Sequence, residues 1–170
     1  MRLAREILLG ESRIQERVRE LAAQITAETP PGGTLHVLAL MDGAFMFCAD
    51  LVRRLPLPVR LAFVPVVSVG RGGQPDQIEL PAGFDVAGAD LLVVEDVLDT
   101  GLTLAALRAR LESLGPRRIR LAVLLDKPAR RAAAVSADYV GFRIADRWVV
   151  GYGLDSEQLY RNLPYLTYLE

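Results

Sequence analysis

An α/β fold, with a mostly parallel twisted sheet flanked by helices, is predicted by three observations. Between residues 35 and 125, strand-like apolar runs alternate with helical patterns. Apolar residues make up 51% of the chain, ample for a core. The stretch Leu91 to Thr103, LLVVEDVLDTGLT, passes from a buried strand through a charged edge into a helix start. Alternation of this kind builds right-handed crossovers onto a parallel sheet, and 170 residues suit one domain.

Taken in order, Glu6 to Leu9 reads as a short strand. From Ser12 the pattern turns helical: Ser12 and Gln15 have capping-box spacing, and Ile14, Val18, Leu21, Ala22 and Ile25 share one face. Thr29, Pro30, Pro31, Gly32 and Gly33 stop that helix. Leu35 to Leu40 reads as a buried strand, so His36 within it is a structural residue rather than a catalyst. Met41, Asp42 and Gly43 form a tight loop before a helix from about Ala44 to Leu55, ended by Pro56 and Pro58. Cys48 lies on that helix with no neighbouring histidine and reads as packing.

Arg60 to Val69 reads as a strand in which Pro65 marks an edge or a bulge. Gly70 to Gly88 is rich in Gly and Pro in a polar setting, with a short Gln77 to Leu80 run able to pair. Long segments of this kind within a small domain usually serve as lids or excursions. Leu91 to Thr103 comes next, its apolar run a buried strand that ends in Glu95 and Asp96. The helix after it carries Leu104, Leu107, Leu111 and Leu114 before Gly115 and Pro116 close it. Ile119 to Leu125 is another buried strand, ending in Asp126 and Lys127, and Tyr139 to Ile144 and Trp148 to Tyr152 are two shorter ones.

Charge and cysteine usage exclude several classes. A net charge of -1 with no block of like charge gives no reason to expect nucleic acid as a partner. The single cysteine cannot form an internal disulfide, and the N-terminus lacks the order of a signal peptide. No apolar run approaches the roughly 20 residues that span a bilayer. The expectation is a cytoplasmic protein without a membrane partner.

The chemistry concentrates at Leu91 to Thr103. Thr100, Gly101, Leu102 and Thr103 stand where a strand becomes a helix, so outward N–H groups and the helix dipole make a cradle for phosphate. An ordinary N-cap by Asp99 or Thr100 reads equally well at this point. Glu95 and Asp96, adjacent at the end of an apolar strand, are costly unless they bind sugar hydroxyls, a divalent cation or cationic partners. No Gly-Lys-Ser/Thr follows the strand and no dinucleotide fingerprint is present, so neither nucleotide-binding loop applies.

VVEDVLDTGLT closely resembles the phosphoribosyl pyrophosphate (PRPP) motif of type I phosphoribosyltransferases. GAFMFCADL, LLDKPARR, DYVGF, WVVGYGLD and YRNLPY extend the likeness nearly end to end, toward the hypoxanthine (hypoxanthine-guanine) branch. The resemblance implies that family's fold: a core over about residues 34–130, and a small hood from about 1–10 and 131–170. It also implies transfer of a 5-phosphoribosyl group from Mg²⁺-bound PRPP to a ring nitrogen of hypoxanthine, and of guanine, with pyrophosphate released. Subunits would associate as a homodimer or homotetramer.

By the same resemblance, Glu95 and Asp96 take the ribose hydroxyls and help order the metal, and Asp99 to Thr103 wrap the 5′-phosphate. Asp99 is the general base for the purine N7 proton. Lys127 donates to the purine 6-oxo group; the chain's 20 basic residues include 19 arginines, and the one lysine falls here. Trp148 stacks on the purine, with core packing as the plainer alternative, and Val149 offers backbone groups to the base edge. Asp155 is the metal-linked acid near the base. Arg161 meets pyrophosphate, as do Met41, Asp42 and Gly43 through backbone N–H groups and a non-proline cis bond.

Two departures stand out. The family's Leu-Lys-Gly is Met41-Asp42-Gly43 here, leaving Asp42 to meet the metal, an arginine such as Arg161, or an arginine from a partner subunit. Its mobile Ser-Tyr-Gly is Ser68-Val69-Gly70, in a shorter segment. Alternatives to the transferase reading are a non-catalytic PRPP-sensing regulator, or a phosphoribosyltransferase for xanthine or a pyrimidine.

Overall fold

The computed structural model describes residues 3–65 and 80–170. The lid residues Ser68, Val69 and Gly70, and all of the Gln77 to Leu80 run except Leu80, lie outside the described residues. Element order is β1 (Leu3–Leu9), α1 (Glu11–Glu28), β2 (Leu35–Met41), α2 (Phe45–Val52), β3 (Val59–Pro65), β4 (Asp90–Leu98), α3 (Leu102–Glu112), β5 (Arg118–Asp126), β6 (Tyr139–Arg143), β7 (Val149–Val150) and β8 (Leu166–Leu169).

Five strands form one parallel sheet in the order β3-β2-β4-β5-β6, as the α/β expectation required. β4 lies at its centre, and β3 is an edge strand, where Pro65 costs no internal ladder bond. Alternation along β4 divides the core in two. Leu92 and Val94 pack with Val18, Leu21, Phe47 and Leu51 of α1 and α2. Leu91 and Val93 pack with Leu104, Leu107 and Leu111 of α3 on the opposite face. Covered on both faces, these strands read as continuous apolar runs rather than alternating ones.

The helix predicted from Ser12 begins at Glu11, and its face of Ile14, Val18, Leu21, Ala22 and Ile25 is buried as expected. The capping box is not formed. Gly10 is the N-cap and offers no side chain, while Gln15 donates to Asp50 on α2 and accepts from Arg54 just beyond that helix. A tertiary contact has taken the side chain that the local pattern assigned to the cap. Cys48 is buried, and burial pushes its thiol up to about 12. His36 is only partly buried and lies 5.6 Å from the Phe84 ring, centroid to centroid.

β1, β8 and β7 form a second, antiparallel sheet in that order, joining the chain's two ends. Leu9, Val149, Tyr152, Leu154, Leu166 and Tyr168 seat it on the α1/α2 side of the core. The hood drawn over residues 131–170 gives up residues 139–143, because β6 pairs with β5 and extends the main sheet. Among the described residues, no helix is long and apolar enough to cross a membrane.

Candidate active site

β4 carries its acidic end to the carboxyl edge of the sheet, where ligands of open α/β folds collect. Glu95 and Asp96 are both partly buried there. The Glu95 carboxylate accepts the Asp96 N–H at 3.0 Å, and the Asp96 carboxylate accepts the Val97 N–H at 2.7 Å. Burial, and then the Asp96 carboxylate beside it, push the Glu95 carboxyl well above the usual range. The pair therefore resists carrying two full negative charges.

Close packing holds the neighbouring loop against this edge. A side chain on Gly43 would collide with the Asp96 carboxylate, and one on Gly153 with the Gly43 carbonyl. Met41, Asp42 and Gly43 are thus clasped between β4 and the hood. The Met41–Asp42 bond is cis.

After Leu98 the chain turns through Asp99, Thr100 and Gly101 into α3. Gly101 is the N-cap at φ 80°, a conformation suited to glycine, and no side chain caps the helix from that position. The Thr100 hydroxyl accepts from Leu102 N at a long 3.5 Å. The Asp99 carboxylate does not cap the helix; it stands 2.7 Å from Arg130 Nε, and Arg130 also reaches Asp146 at 3.4 Å.

On the next strand, β5, the chain ends in Asp126 and the buried Lys127, whose Nζ donates to the Arg147 carbonyl at 2.8 Å. That bond orients the ammonium and leaves two of its hydrogens. Trp148 is 57% exposed, which removes the core-packing alternative, and Val149 next to it is buried in β7. Asp155 Oδ1 lies 2.9 Å from Arg161 Nη2, while its Oδ2 accepts Gln158 N at 2.8 Å. Arg161 Nη1 donates to the Gly153 carbonyl at 2.7 Å, and Nη2 is 3.7 Å from Asp42.

These residues enclose two adjoining cavities. The larger, about 450 Å³, is lined by Met41, Asp42, Gly43, Glu95, Thr100, Gly101, Thr103 and Arg161 among others. The smaller, about 190 Å³, is lined by Lys127, Trp148, Val149 and Leu154. Asp96, Val97, Asp99 and Asp155 line both. Leu102 lines neither; its side chain is half exposed.

A family model for the phosphoribosyl transferase domain matches residues 6–157. The hypoxanthine phosphoribosyltransferase of Haemophilus influenzae is 40% identical over 166 residues, covering 95% of this chain and 93% of that protein. A Staphylococcus aureus hypoxanthine-guanine phosphoribosyltransferase is 39% identical, covering 98% and 94%. The crystal structure of a hypoxanthine-guanine phosphoribosyltransferase from Bacillus anthracis superposes with a TM-score of 0.90 at 35% identity, over all of both chains. The chain belongs to the hypoxanthine phosphoribosyltransferase family.

In this family member, every residue given a site role from the sequence and lying within the described part lines one or both of the two cavities, apart from Leu102. The structure adds three residues. Arg130 pairs with Asp99, Arg131 bonds the loop behind it, and Gln158 lines the larger cavity. LLDKPARR contains both arginines, although the resemblance gives a role to its lysine alone.

Proposed function

We propose that this phosphoribosyltransferase transfers the 5-phosphoribosyl group of PRPP to hypoxanthine, and to guanine, as a purine-salvage enzyme of the cytoplasm. The observation that carries the reading is the pair of adjoining cavities with Asp99 on their shared wall. One has the helix N-terminus, hydroxyls and arginine that suit a phosphorylated sugar. The other has an exposed indole and an oriented ammonium that suit a 6-oxopurine.

In the reaction, a purine ring nitrogen bonds to C1′ of the ribose as the bond from C1′ to pyrophosphate oxygen breaks. Pyrophosphate leaves with the electron pair, through an oxocarbenium-like state. The first-turn amides of α3, with Thr100 and Thr103, hold the 5′-phosphate, and Glu95 and Asp96 take the ribose hydroxyls. Trp148 stacks on the base while Lys127 donates to its 6-oxo oxygen, which a 6-amino purine lacks. Asp99 accepts the N7 proton once it is released from Arg130.

The donor set fits Mg²⁺. Glu95, Asp96 and Asp155 offer hard carboxylate oxygens, and among the described residues no three metal-binding side chains converge into a closed cage. Mg²⁺ is typically held by one or two carboxylates together with substrate phosphates. Held by these carboxylates, the ion would supply positive charge to offset that of pyrophosphate. The exposed Leu61 and Phe63 on the edge strand β3 support a homodimer or homotetramer, which light scattering reads directly.

Initial rates on hypoxanthine, guanine and xanthine, at fixed PRPP and Mg²⁺, test the substrate assignment. Hypoxanthine and guanine are expected to lead; a clear preference for xanthine, or for uracil added as a fourth base, would replace the assignment. The sensing-regulator alternative predicts PRPP binding without turnover on any base.

A further inference from the structure

We propose that Arg131 is a positioning residue that ties the loop bearing Lys127 to the loop bearing Asp99, so that the two halves of the site hold one geometry. The proposal rests on the transferase reading above. Arg131 follows the short 3-10 turn Pro128–Arg130. Its Nη1 donates to the Asp99 carbonyl and its Nη2 to Asp126 Oδ1. Asp126 is itself buried and immediately precedes Lys127.

Backbone bonds continue the same seam. Lys127 N donates to the Leu98 carbonyl at 3.0 Å, and Ala132 N and Ala133 N donate to the Thr100 carbonyl at 2.9 and 3.1 Å. The Arg131 Cδ would stand 3.2 Å from a Cβ placed on Gly101. Glycine suits the positive φ at 101, and a side chain there would also press on the arginine stem. Neither Arg131 nor Asp126 lines either cavity, so both act through the residues that do.

The arrangement selects arginine. A planar guanidinium can serve a carboxylate and a carbonyl through two nitrogens at once, whereas an ammonium is a point donor on a flexible stem. Fixing the Asp99 carbonyl fixes the start of the side chain that must meet the purine proton. Misplacement by about 1 Å is enough to cost on the order of 100-fold in rate.

Arg131→Lys is the informative variant, since it keeps a cation beside Asp126 and gives up the fork; Arg131→Ala accompanies it. Melting temperature, kcat, KM for each substrate and amide hydrogen exchange are measured beside wild type. Arg131→Lys is expected to melt close to wild type, to lose roughly 10- to 100-fold in kcat, and to recover more activity than Arg131→Ala. Exchange at Ala132 and Ala133 is expected to accelerate as the seam loosens. A wild-type kcat in Arg131→Lys, or a loss that merely follows the unfolded fraction, overturns the proposal. Should wild type itself be inactive, the transferase reading falls, and unchanged exchange at Ala132 and Ala133 would then overturn the positioning role independently.

Discussion

Asp42 faces Arg161 at 3.7 Å, across the nitrogen that also meets Asp155 at 2.9 Å. The acid found where the family pattern has lysine thus has a partner on the hood, the Arg161 that the sequence offered beside a metal or a partner subunit's arginine. Arg161 Nη2 is shared among Asp155, Gln158 and Asp42 before any pyrophosphate arrives.

Asp42→Asn should release Arg161 toward pyrophosphate. Asp42 is largely exposed, and a pair of this kind is worth at most about 1 kcal/mol, so pyrophosphate inhibition should tighten roughly two- to fivefold. Unchanged or weaker inhibition would mean that Asp42 acts on pyrophosphate through some other partner.

Trp148→Ala should raise KM for hypoxanthine by roughly fivefold or more, as base–aromatic stacking is worth about 1 to 3 kcal/mol. The exposed ring carries little of the core, so the melting temperature should barely move. A large drop in melting temperature with unaltered KM would return Trp148 to a packing role.

Asp99→Asn retains the shape of the side chain and the carbonyl that Arg131 holds, but cannot take a proton. Turnover should fall by roughly 100- to 10,000-fold, the usual range for a positioned base, while PRPP binding by calorimetry stays near wild type. Equal loss of both would leave Asp99 as a binding residue alone.

Two carboxylates give opposite pH signatures. Burial pushes the Asp50 carboxyl up, but hydrogen bonds from Tyr152, Gln15 and Arg53, with Arg54 nearby, outweigh it and hold the group below its ordinary value. Its contribution is complete above the ordinary carboxylate pKa and is lost as pH falls through the lowered one. Asp50→Asn should therefore lower the melting temperature at neutral pH, with the difference shrinking in acid. The Glu95 carboxyl is raised by burial and by Asp96, so the folded state binds the extra proton and stability declines as pH rises above the ordinary glutamate value. In metal-free buffer, Glu95→Gln should raise the melting temperature at neutral pH and flatten that decline. Thermal melts across pH 3 to 8 read both, and a shared sign would contradict the assignments.

What could be read from sequence follows from the range of the interactions. The buried face of α1 was legible because five apolar residues repeat at helical spacing. β4 and β5 were legible because a strand covered on both sides is apolar throughout. β8 was not, since Leu166–Leu169 becomes a strand by pairing with β1 at the other end of the chain. Gln15 misled because a contact with α2 outcompeted the local cap. At the site, Glu95, Asp96 and Thr100 to Thr103 formed one contiguous motif. The bond from Arg131 to the Asp99 carbonyl spans 32 positions and involves a backbone atom, which no residue pattern records.

The most direct measurement is product formation by purified protein with PRPP, Mg²⁺ and hypoxanthine. Equimolar pyrophosphate and inosine monophosphate are expected, with neither formed when the base is omitted. PRPP binding with no turnover on hypoxanthine, guanine or xanthine would contradict the account.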